Sequence, residues 1–154
     1  MTDIASRLKA LDITLPAAAA PVAAYVPAVE YNGLLYLSGQ LPFDKGELMT
    51  GRLGDDRDIA YGVRAARACG IMILAQIAQA AGSLDRVERV VRLGVFVASS
   101  DRFTDQPKVA NGASELMEQV FGDAGRHARS AVGVPVLPLG AAVEIDAIIA
   151  LRPA

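Results

Sequence analysis

The chain has 154 residues, 53% of them hydrophobic and 21% charged. That composition suits one domain with a full core and excludes disorder. Lys and Arg number 15 against 17 Asp and Glu, a net charge of −2 that gives no global pull toward nucleic acid or an anionic membrane. One cysteine, Cys69, and one histidine, His127, exclude an intrachain disulfide framework, multi-cysteine metal sites and paired-histidine zinc motifs.

Residues 1–15 carry Asp3, Arg7, Lys9 and Asp12 and lack the continuous apolar run of a secretory signal. The longest uncharged stretch, 68–84, is interrupted by Gln76, Gln79, Gly82 and Ser83 and falls short of a membrane span. The expectation is a soluble cytoplasmic protein in a reducing compartment.

In chain order, residues 1–21 read as an extension: a short surface helix over 2–11, ended by Pro16, then an Ala/Pro connector to Pro21. Residues 22–154 read as the domain. Tyr25 to Gln40 predicts a hairpin around Asn32-Gly33, which supplies positive φ for a two-residue turn. Residues 41–54, with Pro42, Gly46, Gly51 and Gly54, read as loop with a short strand near 47–50.

Asp55 and Asp56 are candidate caps for a long helix to Ala81, with Ile59, Val63, Ile73, Leu74 and Ile77 as its apolar stripe. Cys69 reads as a small buried hydrophobe of this helix. Val87 to Ser99 alternates as a strand, with Phe96 and Val90 assigned to its second face. A second helix follows from Thr104 or Asp105, with Pro107 in its first turn and Gly122 as its stop. Residues 129–137 and 142–151 read as two strands joined by Pro138-Leu139-Gly140 into a closing hairpin.

The order predicts an α+β domain: a mixed sheet with two helices on one face. The other face is too apolar for bulk water and is expected to be covered by another subunit. In the closing hairpin, Val132, Val134 and Val136 are assigned to the helix side and Arg129, Ala131 and Gly133 to the far side. Glu144 then lies opposite Ala131 and within several ångströms of Arg129. A guanidinium beside a carboxylate can grip a substrate carboxylate and move a proton; the same spacing equally suits a structural ion pair across a subunit interface.

Three segments resemble the YjgF/RidA family of reactive imine and enamine deaminases, also labelled endoribonuclease L-PSP. They are Ser38-Gly39-Gln40, Ala128-Arg129-Ser130, and Val143 to Ile148 in the last strand. The resemblance covers about residues 22–152 and implies a chorismate-mutase-like fold, a homotrimer and a pocket at each subunit interface. It implies that Arg129 binds the substrate carboxylate and that Glu144 places the hydrolytic water. By the same match, Tyr25, Ser38 and Asn111 join Arg129 in holding substrate. The cysteine common two residues after the arginine is Ala131 here, Pro27 replaces a polar residue, and the N-terminal extension is longer than in compact members.

The implied reaction is hydrolysis of a 2-imino or enamine acid to a 2-keto acid and ammonia, with no cofactor and no metal. A non-catalytic trimer binding small carboxylates, as sensor or modulator, is the alternative. Ribonuclease draws little support from an acidic chain with 5% aromatics and a single histidine. Chorismate mutase would need more cations than Arg129 and Arg92 supply. His127 reads as a rim residue of its loop.

Overall fold

The computed structural model describes residues 3–21 and 23–154. Its sheet begins where expected: Ala28–Tyr31 (β1) and Leu34–Gln40 (β2) pair antiparallel, and Asn32 and Gly33 turn with φ of 52° and 76°. The first strand starts at Ala28 rather than Tyr25, because Pro27 has no N–H for the ladder. A second positive-φ pair, Lys45-Gly46, closes a small hairpin of Phe43–Asp44 (β3) and Glu47–Leu48 (β4) inside the stretch expected as loop.

The long helix, Ile59–Ala81, starts later than expected. Its cap is Asp58, whose carboxylate accepts from the Tyr61 N–H at 2.9 Å, while Asp56 is spent on the Arg52 N–H in the preceding turn. Gly82 ends it in the left-handed conformation. The second helix, Gln106–Phe121, runs between Asp105 and Gly122 as predicted. A short N-terminal helix, Ile4–Ala10, begins within the span expected for it; Thr2, the first residue of that expectation, lies outside the described residues. In chain order these helices are α1 (Ile4–Ala10), α2 (Ile59–Ala81) and α3 (Gln106–Phe121).

The remaining strands are Val87–Ala98 (β5), Ala128–Val134 (β6) and Val143–Leu151 (β7). The expected closing hairpin does not form. The sheet order is β1-β2-β7-β5-β6, so β5 lies between the two strands assigned to that hairpin. β6 pairs parallel to β5, reached through α3 as a crossover, and β7 returns antiparallel between β5 and β2.

That topology reverses the side chains of β6. Arg129, Ala131 and Gly133 align with the inward-facing Leu93, Val95 and Val97 and so face α3, whereas Val132 is 45% exposed on the far side. Register shifts in β5 between Val87 and Arg89 and between Val90 and Arg92 likewise turn Val90 into the core.

α2 and α3 cover one sheet face over a core that includes Leu93, Ile145, Ile149, Leu74, Ile77 and Leu116. Each such side chain contributes roughly 1.5–3 kcal/mol on burial. The two helices meet through small residues as much as through the expected large stripe. A Cβ at Gly112 would collide with the Val63 carbonyl, and one at Gly70 would lie 2.9 Å from Leu116. Cys69 is buried on the sheet side of α2, its Sγ 3.6 Å from the Val143 carbonyl of β7, and burial pushes its thiol well above the usual range. α1 rests on α3, where the Arg7 guanidinium donates to the Val120 carbonyl at 2.9 Å.

Among the described residues nothing covers the other sheet face. Val29, Tyr31, Tyr36 and Val132 are exposed there, around an Arg92–Asp146 ion pair of 3.7 Å.

A candidate active site in two halves

Arg129 is held from three directions. Its Nη1 donates to Asn111 Oδ1 at 2.9 Å and to Ser114 Oγ at 3.0 Å, and its Nη2 donates to the Pro107 carbonyl at 3.4 Å. All three acceptors belong to α3, the helix that delivers the chain into β6. A guanidinium carries five N–H groups, so Nε–H and one Nη2–H stay free on adjacent nitrogens, the pair that grips a carboxylate bidentately. No acidic side chain forms an ion pair with Arg129 among the described residues. Its charge is thus fixed in place and uncompensated.

This side chain lines a pocket of about 330 Å³ with Asn111, Ser114, Glu115, Glu118, Arg126 and His127. Asn111, expected to join Arg129 in holding substrate, is brought beside it and accepts its hydrogen bond, whereas Tyr25 and Ser38 are not brought to this pocket. His127, expected at a rim, is half-buried beside them. Its Nδ1 lies 2.8 Å from the Gly125 carbonyl, which can only accept, and its Nε2 lies 3.0 Å from Ser114 Oγ. Nδ1 therefore carries the proton, and a bare Nε2 accepts from the serine hydroxyl. Burial and the Arg129 charge lower its pKa from the usual 6.5, against the opposing hydrogen bond to Gly125. Ser114 was hidden in the sequence: only the helical phase that places it one turn after Asn111, on the side facing β6, could have marked it.

The second half lies on the uncovered face, at the end of β2. The register between β2 and β7 slips between Leu37 and Gln40, so Ser38 and Gly39 bulge opposite the single residue Asp146. The Glu144 carboxylate rests on Gly39, where a Cβ would overlap Oε1. Glycine in Ser38-Gly39-Gln40 is thus a requirement of close approach. Partial burial, and after it the Asp146 charge, raise the Glu144 pKa above its usual 4.5. Ser38 donates its hydroxyl to the Val26 carbonyl at 2.8 Å and so pins the segment carrying Tyr25. Tyr25 is 48% exposed and shares a cavity of about 170 Å³ with Pro27, Gly39, Leu41 and Leu139.

Arg129 and Glu144 are therefore not neighbours within one chain. Glu144 aligns with Phe96 on β5, and Arg129 aligns with Leu93 three residues away on the other side of that strand and on the opposite sheet face. The closeness expected from a closing hairpin fails because β5 is inserted between its arms.

The family model described as "YjgF/chorismate_mutase-like, putative endoribonuclease" matches residues 5–150. The chain belongs to this YjgF family. It is 54% identical to protein TCP17 of Trypanosoma cruzi over 97% of this chain and 94% of that one. It is 29% identical to a 2-iminobutanoate/2-iminopropanoate deaminase of Dermatophagoides farinae, over 91% of this chain and 95% of the relative.

A crystal structure of a protein of unknown function from Agrobacterium tumefaciens, 48% identical, superposes with a TM-score of 0.91 over 97% of this chain and 92% of that one. The RidA structure from an Antarctic Psychrobacter, 32% identical, gives 0.61 over 90% and 97%. The YjgF fold seen here is thus a mixed α+β sheet with three helices, and no helix among the described residues is long and apolar enough to cross a membrane.

Proposed function

We propose that this YjgF-family chain is a deaminase that hydrolyses 2-imino and enamine acids to 2-keto acids and ammonia, in pockets shared between copies of a homotrimer. The carrying observation is the Arg129 guanidinium, held by neutral acceptors with two adjacent N–H groups free over a pocket. It is a ready receptor for the carboxylate that every such substrate carries. The deaminase among the relatives points to the same class.

With the carboxylate fixed there, the C=N carbon is presented for attack by water. Glu144, whose carboxyl partial burial and then Asp146 hold above the usual 4.5, orients that water; addition gives a carbinolamine, which collapses to the keto acid and ammonia. Such imines hydrolyse unaided, so positioning alone supplies useful acceleration.

Because Arg129 and Glu144 lie on opposite sheet faces, Glu144 must come from a second copy. The apolar face bearing Tyr36 and Val132 supplies the surface through which copies associate. Tyr25 and Ser38 belong with Glu144 to the half-site at the end of β2 and serve the same substrate, while Asn111 stays with Arg129.

The test is a coupled assay in which an amino-acid oxidase makes the imine in situ, alongside the mass of the assembly by light scattering. Acceleration lost in Arg129→Ala, from an oligomer, supports the reading. An oligomer that binds keto acids through Arg129 yet accelerates no imine would establish the carboxylate-binding alternative, which the fully braced arginine also suits.

A further inference from the structure

We propose that Ser114 is an activated nucleophile, with His127 as its base and Arg129 as the donor to the carbonyl oxygen, that accepts acyl groups from small esters. The inference does not rest on imine hydrolysis. It rests on a hydrogen-bond chain that carries more than Arg129 needs for support.

A nucleophilic serine requires a base within hydrogen-bond reach and a third group that orients the base. Ser114 Oγ lies 3.0 Å from His127 Nε2, and the Gly125 carbonyl holds Nδ1 at 2.8 Å. The carbonyl fixes the tautomer, so the serine proton is already directed at the nitrogen that would take it. Oγ accepts from Arg129 Nη1 with one lone pair and keeps the other for attack. Ser114, His127 and Arg129 line one pocket of about 330 Å³, room for a short acyl group. The imidazole is held neutral by burial and by the adjacent guanidinium. Of the acidic residues at the rim, Glu118 is engaged by Arg126 at 2.9 Å, so it does not neutralise Arg129.

The chemistry needs only ester and water. Ser114 Oγ bonds to the carbonyl carbon while its proton passes to His127 Nε2, and the carbonyl electron pair moves onto the oxygen beside it, which takes over the Arg129 Nη1–H that Oγ held. Collapse breaks the carbon–oxygen bond to the alcohol, which leaves with the proton from Nε2. Water then attacks the acyl-serine, again giving its proton to His127. Collapse then breaks the carbon–Oγ bond, the proton on Nε2 returns to Oγ, and the carboxylic acid leaves.

The experiment treats the full chain with a fluorophosphonate probe and maps the adduct by peptide mass spectrometry, with 4-nitrophenyl acetate turnover read in parallel. One adduct on Ser114 is expected, absent in Ser114→Ala and formed at least tenfold more slowly in His127→Asn. Unlabelled wild-type protein, or an adduct mapped to another residue, overturns the proposal. So does His127→Asn labelling at the wild-type rate. Mapping on the unsubstituted chain decides the matter even where a variant fails to fold.

Discussion

The half-site around Arg129 and the half-site around Glu144 are built on opposite plans. Every contact that fixes Arg129 comes from its own chain, through three acceptors on α3. Glu144 makes no hydrogen bond or ion pair among the described residues; it rests on Gly39, aligned with the half-buried Phe96 of β5. One half is pre-organised to receive an anion. The other holds a carboxylate at raised pKa against an open face.

Removing the organised half should have the largest effect. Arg129→Ala is expected to lower kcat/KM for imine hydrolysis at least ~100-fold, about 2.7 kcal/mol of transition-state stabilisation. Arg129→Lys should rescue little, because an ammonium cannot satisfy three acceptors on α3 and still present a fork. Near-wild-type kcat/KM in the lysine variant would show that a point charge is enough.

The division between copies is tested by mixing. Arg129→Ala and Glu144→Gln, each inactive alone, are expected to recover about a quarter of wild-type activity when co-refolded at equal ratio, since a random quarter of shared pockets then holds both native residues. Zero recovery, with mixed oligomers verified by mass, would break the shared-site arrangement.

Gly39→Ala sharpens the other side. Its methyl group displaces the Glu144 carboxylate, so a loss of about tenfold in kcat is expected with KM nearly constant. The accompanying destabilisation should be about 1 kcal/mol, read as a shift of a few degrees in Tm.

The smallest effect concerns stability. A carboxylate with raised pKa opposes folding once ionised, so its cost is absent below the usual 4.5 and appears as pH rises through the folded value. Glu144→Gln should therefore gain a few tenths of a kcal/mol at neutral pH, screening by solvent having reduced the figure, and nothing at acid pH. His127 runs the other way: its lowered pKa gives stability at neutral pH that is lost as pH falls below 6.5. Urea titrations of Glu144→Gln and His127→Asn across pH separate the two slopes.

Much of this architecture was legible because its signals are local. Asn32-Gly33, Asp105 with Gly122, and the alternation of β7 each specify their element within a few residues. What escaped was pairing. Nothing in Arg129-Ser-Ala-Val-Gly-Val134 states that the strand joins β5 in parallel, and its small residues leave its inward face ambiguous, so the parity came out reversed. The site followed the same rule. Arg129, Asn111, Ser38 and Glu144 could be named from motif; the separation of Arg129 from Glu144 by β5 required the long-range order of the sheet. Lys45-Gly46 was missed because lysine rarely adopts positive φ.

Gln76, wholly buried in α2, donates to the Ala19 carbonyl at 2.8 Å and to Gln40 Oε1 at 3.4 Å. The acceptor at Ala19 lies in the Ala/Pro connector, so that stretch of backbone completes the interior and cannot be trimmed like a tag. A chain shortened past residue 20 would strand an amide in an apolar setting, a penalty of about 1–3 kcal/mol beyond any surface uncovered. Loss of the arm and replacement of Gln76 by an apolar residue are therefore changes that a lineage can accept only together.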